Sequence, residues 1–267
     1  MAAPAEDPIG DEITAAAPDA LTEKALTPWS SMLVLALLAG AFIAFGSVAF
    51  LVVQAGAAEP DGPVQLLSGA AFSVGLILTL VTGAELFTGN TLFVLAVRQG
   101  RLGVAQMLGA WSLVWVGNLI GSVAIAGLFV AAGGGDAVDG LVAQAAVDVA
   151  ATKVDKDVTA LIASGILANM LVCLAVWGAM GARSIPSRVL AIVGPVTVFV
   201  AAGFEHSIAN QSLLPIGWLL QPSDGTSIDL AGIACNLALS TIGNIIGGAL
   251  IALAFGFAHR DAIARDD

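Results

Sequence analysis

Apolar positions fall in six long blocks, about 31–57, 64–97, 104–132, 158–180, 188–220 and 230–258, separated by short polar stretches. A helix needs about 20 such residues to cross a bilayer, so each block predicts a membrane-crossing segment. The blocks are continuous and rich in Ala, Leu and Val, which argues against the alternating pattern of a transmembrane barrel. The second and fifth blocks are too long for one simple helix, and both carry polar residues near the middle. The pattern therefore predicts an all-α polytopic membrane protein with six transmembrane helices, the second and fifth broken.

The two interruptions resemble each other. "GAELFTGN" (83–90) aligns without gaps on "GFEHSIAN" (203–210), pairing Gly83 with Gly203, Glu85 with Glu205 and Asn90 with Asn210. Later in each half, "GNLIG" (117–121) matches "GNIIG" (243–247). Two matches in the same order mark two repeats, about 31–132 and 158–258. Each repeat holds three spans, an odd number, so the second is inverted relative to the first, a design that brings broken helices together near the midplane.

A break inside a membrane leaves backbone N–H and C=O groups that lipid cannot satisfy, so it must be buried in protein or line a cavity. Thr88, Gly89, Asn90, Ser207 and Asn210 are small or polar and suit such a place. The half-helix after each break aims its N–H groups at the centre and favours an anion there. Glu85 and Glu205 hold equivalent positions and are expected to be structural, accepting hydrogen bonds from N–H groups that their own breaks release. His206 has Leu86 as its partner, so the repeat does not require it. It reads either as a core histidine satisfied by an amide or as a pore-facing group, and an intramembrane ionisable residue at a break favours the second. Leu86 and Phe87 flank Thr88, where an apolar ring can pass a desolvated small solute and reject hydrated ions.

Composition narrows the function. Of 267 residues 58% are hydrophobic and 11% charged, more apolar surface than a soluble domain can hide. The net charge of −11 excludes nucleic acid as a partner and leaves the lipid bilayer. Cys173 and Cys235 lie in apolar blocks and read as packing residues, with no metal or cofactor implied. Residues 1–28 are acidic, lack the basic start of a signal peptide, and read as a cytoplasmic tail with a short interfacial helix near its end. Residues 29–258 read as the six-helix transmembrane domain and 259–267 as a second cytoplasmic tail. With six spans and both termini on one side, all six arginines (98, 101, 183, 188, 260 and 265) fall on that side, which marks it as cytoplasmic. The opposite loops carry Glu59, Asp61, Asp136, Asp139, Asp148, Asp224 and Asp229, and also the exceptions Lys153 and Lys156 before the fourth span.

The stretches "FSVGLIL", "GAELFTGN", "GILANMLVCLAVW", "GFEHSIAN" and "TIGNIIGG" together resemble the formate/nitrite transporter family. The similarity runs from about residue 39 to 256 and leaves out both tails. The resemblance implies a homopentamer in the inner (cytoplasmic) membrane, with one aquaporin-like pore per protomer, carrying small monovalent anions of weak acids. It further implies a pore histidine at His206, a loop threonine at Thr88, an asparagine at Asn244 and a vestibule lysine at Lys153 rather than Lys156. It implies an outer constriction at Phe72, Leu76 and Phe199 and an inner one at Leu86, Phe87 and Val172. Ala168-Asn169-Met170 looks more like the formate branch than the nitrite branch, and formate leads, with nitrite and hydrosulfide as alternatives.

In the expected mechanism Lys153 draws the anion in, and it meets His206 with Thr88 and Asn244 beside it. It then crosses either as the neutral acid, with a proton shared through His206, or as the charged anion past a histidine gate. An aquaporin-like channel for neutral solutes is the runner-up, but neither break carries Asn-Pro-Ala. An intramembrane enzyme using Glu205 and His206 as an acid–base pair lacks a nucleophile or metal-ligand cluster beside them, so the chain reads as no enzyme.

Overall fold

The computed structural model describes residues 10–57, 61–222 and 228–266, which are helical throughout, with no strand among them. In chain order the helices are α1 (Gly10–Ala25), α2 (Trp29–Gln54), α3 (Gly62–Thr82), α4 (Phe87–Asn90), α5 (Phe93–Arg98), α6 (Val104–Ala131) and α7 (Leu141–Val154). They continue with α8 (Val158–Gly181), α9 (Ile185–Ala201), α10 (Ser207–Leu220), α11 (Leu230–Ala258) and α12 (Arg260–Asp266). Five of them, α2, α3, α6, α8 and α11, are long and apolar enough to cross a membrane. The fifth apolar block instead becomes two helices, α9 of 17 residues and α10 of 14.

Aspartates start three of the long helices. Asp61, Asp157 and Asp229 accept the N–H of Val64, Ala160 and Gly232, which satisfies a donor that a helix start leaves free. Asp61 and Asp229 belong to the acidic loops noted above, so those loops carry helix caps as well as charge. Glu59 and Asp224 lie outside the described residues.

Glycines decide which helices touch. α6 packs on α2 and α11 on α8. A Cβ on Gly121 would stand 2.0 Å from Leu37 O, and one on Gly247 2.3 Å from Ile166 O, so no side chain fits at either crossing. These are the closing glycines of "GNLIG" and "GNIIG", and each motif therefore seats its helix against the helix that opens its own half. α3 and α9 pack on each other and join the two halves. Large apolar residues such as Leu66, Leu128, Leu190 and Phe257 remain exposed on the outside, as expected of helices that face lipid or another subunit.

α1 differs from a loose tail. It packs against α5 and α12, burying Ala17, Pro18, Leu21 and Ala25, and it is held by an ion pair of Asp19 with Arg101 and a hydrogen bond between Asp11 and His259. The short interfacial helix expected before residue 28 is thus a 16-residue element that closes one end of the bundle.

Gly121→Val and Gly247→Val are expected to abolish the monodisperse peak in fluorescence-detected size-exclusion chromatography. Gly127→Val, whose Cβ would meet nothing within 4 Å, is expected to keep it.

Candidate functional site

Both apolar blocks with polar interruptions stop being helical at the expected places. α3 ends on Gly83 at φ 75° and α9 is followed by Gly203 at φ 66°, left-handed conformations that favour glycine. The next residues, Ala84 and Phe204, turn their N–H groups back onto Thr79 O (2.9 Å) and Phe199 O (3.0 Å). Helix then resumes at Phe87 and at Ser207.

The asparagines of the two repeated helix motifs bind the backbone of these breaks. Asn118 Oδ1 accepts the Phe87 N–H (3.0 Å), while its Nδ2 donates to Ala36 O (2.8 Å) and Glu85 O (2.9 Å). Asn244 does the same in the other half: Oδ1 accepts the Ser207 N–H (2.8 Å) and Nδ2 donates to Gly165 O (2.8 Å) and Glu205 O (2.9 Å). All three polar positions of each amide are in use on main-chain atoms. The sequence points to the glutamates as acceptors of the freed N–H groups, and here the structure differs.

Each glutamate instead binds the asparagine five residues on and a lysine. Glu85 Oε2 accepts from Asn90 Nδ2 (2.8 Å) and pairs with Lys24 Nζ (3.2 Å), a residue of α1. Glu205 Oε2 accepts from Asn210 Nδ2 (2.7 Å) and pairs with Lys153 Nζ (3.1 Å), while its Oε1 pairs with Lys156 Nζ (2.7 Å). Lys156 also donates to Gly203 O (3.1 Å), at the bend itself. Both glutamate side chains are almost wholly buried. A buried carboxylate is tolerable only when paired and hydrogen-bonded, as both of these are. Lys153 does point inward, as the vestibule reading requires, but with Lys156 beside it on the same carboxylate.

Thr88 and His206 meet where the two breaks approach. Thr88 Oγ1 lies 3.0 Å from His206 Nε2, and both residues are buried. His206 Nδ1 accepts the Ala209 N–H at 3.0 Å. A nitrogen that accepts carries no proton, so the geometry assigns the proton of a neutral ring to Nε2, which donates to Thr88. The ring thereby caps α10, a task that Leu86 cannot perform for α4. His206 therefore has a structural duty as well as a free face. On α8, Asn169 Nδ2 donates to Thr91 Oγ1 (2.9 Å) and Asn244 O (2.6 Å), and its Oδ1 has no partner among the described residues.

Two cavities flank this junction. One, of about 290 Å³, is lined by Lys153, Lys156, Glu205, His206 and the rings of Phe72 and Phe199. Phe72 stands edge-on to Phe199 (centroids 5.9 Å), and Phe199 stacks on His206 (5.6 Å). Leu76 is buried behind them and does not line the space. The other cavity, of about 180 Å³, is lined by Lys24, Asn90, Gly89, Val176 and Arg188. Leu86, Phe87 and Val172 are buried and line neither cavity, with Phe87 edge-on to Trp111 (6.1 Å), whose Nε1 donates to Asn90 O (2.8 Å).

Lys24, Asn118 and Asn169 belong to this constellation without a role assigned from the sequence, and so does Lys156, which the sequence reading sets aside in favour of Lys153. Asn118 is within its reach, because it stands in "GNLIG" where Asn244 stands in "GNIIG". Lys24 gives no local signal, since it lies in a stretch that reads as an acidic tail.

Apolar helices with exposed apolar flanks, around a buried polar junction between two cavities, define a multi-pass helical membrane protein with a solute-sized interior. The sequence model of the formate/nitrite transporter family matches residues 11–258, and the chain belongs to that family. The match begins inside α1, further toward the N-terminus than the motifs reach. The formate channel FocA of Escherichia coli is 37% identical over 233 residues, covering 81% of this chain and 82% of that protein. The nitrite transporter NirC of Salmonella typhimurium is also 37% identical, over 214 residues, covering 79% of this chain and 76% of that protein. A solved structure described as a pentameric formate channel with formate bound superposes with a TM-score of 0.77 at 30% identity, covering 86% of this chain and 96% of that one.

Asn118→Ala and Asn244→Ala are each expected to lower the thermal unfolding temperature in detergent. Each removes the partner of one N–H and of the Glu85 or Glu205 carbonyl inside the break, at about 1–3 kcal/mol per group. Ser112→Ala, which removes only an exposed bond to its own helix, is expected to leave that temperature nearly unchanged.

Proposed function

We propose that the protein is a channel or transporter for small monovalent anions of weak acids, with formate as the leading substrate. The observation that carries this reading is the Thr88–His206 hydrogen bond at the meeting of the two breaks, with a lysine-bearing cavity on either side. Nitrite is the alternative, supported by a relative named for nitrite at the same identity as one named for formate. Hydrosulfide is a further member of the same class.

In this reading residues 29–258 form one channel domain of six transmembrane segments in two inverted repeats, the second and fifth broken at Gly83–Leu86 and Gly203–His206. The matching uses of Asn118 and Asn244, and of Glu85 and Glu205, support it. Arginine placement supports an inner membrane location with both termini, 1–28 and 259–267, cytoplasmic. The pentameric form of the superposed formate channel supports a homopentamer.

The anion enters from either cavity, drawn by Lys153 and Lys156 outside or by Lys24 inside. Phe72, Leu76 and Phe199 form the outer constriction and Leu86, Phe87 and Val172 the inner one, where it sheds water. Between them it meets the Nε2–H of His206, with Thr88 as second partner. Desolvation raises the basicity of a carboxylate, so an anion held at the Nε2–H of His206 takes up a proton that comes from cavity water and crosses as the neutral acid, while the ring keeps its own proton. Asn244 acts one step back, by holding Ser207 and Glu205 in place. Glu85, Asn90, Glu205 and Asn210 keep the breaks in shape.

Formate uptake into proteoliposomes is expected to proceed with proton movement in the same direction and little current. His206→Asn, which retains a cap for α10, is expected to keep formate passage as a current and lose the proton movement. A full current with no pH change in the unaltered protein would refute the neutral-acid version. Competition by nitrite, hydrosulfide, acetate and lactate ranks the substrates.

A further inference from the structure

The two cavities differ in their charge balance. In the larger one Lys153 and Lys156 share Glu205, and the exposed carboxylate of Asp148 lines the same space. In the smaller one the charged lining residues are Lys24 and Arg188, and no carboxylate lines it among the described residues. Lys24 is committed: Glu85 Oε2 lies 3.2 Å and Asn90 Oδ1 3.3 Å from its Nζ. Arg188 is not. Its guanidinium donates to two main-chain carbonyls, Leu80 O at 3.3 Å and Ala182 O at 3.5 Å, and pairs with no acid among the described residues.

A guanidinium has five N–H donors in a planar fork. Two long contacts to neutral carbonyls leave most of that fork and all of its charge uncompensated. A partly buried cation in an apolar-walled cavity concentrates counter-ions far better than one in open water. The fork also matches two oxygens borne on one atom, and does so bidentately.

Resting on the anion reading above, we propose that Arg188 is the capture residue of the Lys24-side cavity, taking a small oxyanion through its two oxygens and setting affinity at that face alone. The main-chain contacts hold the guanidinium at the cavity wall without neutralising it. Lys24, spent on Glu85, contributes charge but little hydrogen bonding. Formate and nitrite each offer two oxygens, whereas hydrosulfide offers a single sulfur, so the residue also discriminates within the class.

The test uses the full chain in vesicles of defined orientation, with uptake of formate and of hydrosulfide measured from each face. Arg188→Gln is expected to raise the half-saturating formate concentration about tenfold at the Lys24-side face, the order of one charged hydrogen bond, and to leave the opposite face within about twofold. Arg188→Lys keeps the charge and a contact to Leu80 O. It is expected to raise the formate value at that face by a smaller factor and to leave hydrosulfide unchanged. A merely structural role for Arg188 would move both faces and both substrates together, and that result overturns the proposal. Unchanged formate values at the Lys24-side face in either variant also overturn it. Absence of any anion flux in the unaltered protein would overturn the underlying reading, and this one with it.

Discussion

The whole interior is organised by one constraint: a helix broken inside an apolar layer exposes backbone groups that only protein can satisfy. Two asparagines answer it. Asn118 and Asn244 each take one N–H beyond a break and return two hydrogen bonds to carbonyls, one of them inside the break and one on a neighbouring helix. To reach that far they need α6 and α11 pressed against α2 and α8, which Gly121 and Gly247 permit. Helix contact and loop shape are therefore one device, used once in each half.

With the backbone cared for by amides, the carboxylates are released for another task. Glu85 and Glu205 become anchors for cations that would otherwise leave for water. They draw Lys24, Lys153 and Lys156 from three different segments to the floors of two cavities. The cations are thus held at the cavities, away from the buried junction, where His206, Thr88, Thr91, Asn169 and Asn244 supply uncharged polar groups among aromatic and aliphatic side chains. Lysines at both cavities and an uncharged centre suit a small anion that is attracted first and stripped of water afterwards.

Much of this is legible in the sequence, because its signals are local. The blocks, the interruptions at Gly83–Asn90 and Gly203–Asn210, and the paired Gly-Asn motifs are all contiguous stretches. The assignments that go astray depend on long-range contacts. Nothing near Glu85 says that its acceptors will be occupied by Asn90 and by Lys24, 61 residues earlier. Spacing favours Lys153 over Lys156, yet the turn after α7 brings both ammonium groups to the same carboxylate. The six expected spans become five long helices plus the pair α9 and α10, because the second break stops α9 at 17 residues, short of a full crossing. His206 looks free of structural duty in the sequence because repeat comparison cannot see a ring nitrogen capping its own helix.

That cap limits how the imidazole can trade. A proton wire takes its charge on one nitrogen and releases it from the other. In His206 the Nδ1 edge is tied to the Ala209 N–H, three residues along the same chain. Only Nε2 is open for exchange, and a half-turn of the ring would undo the first turn of α10. The side chain is therefore a hydrogen-bond donor with a single door: it can hold a solute by Nε2–H, but losing that proton would leave an imidazolate. Hydrogen ions cannot leak through such a ring by hopping across it, and a solute that crosses as an acid must bring its own proton from water and carry it to the far side itself.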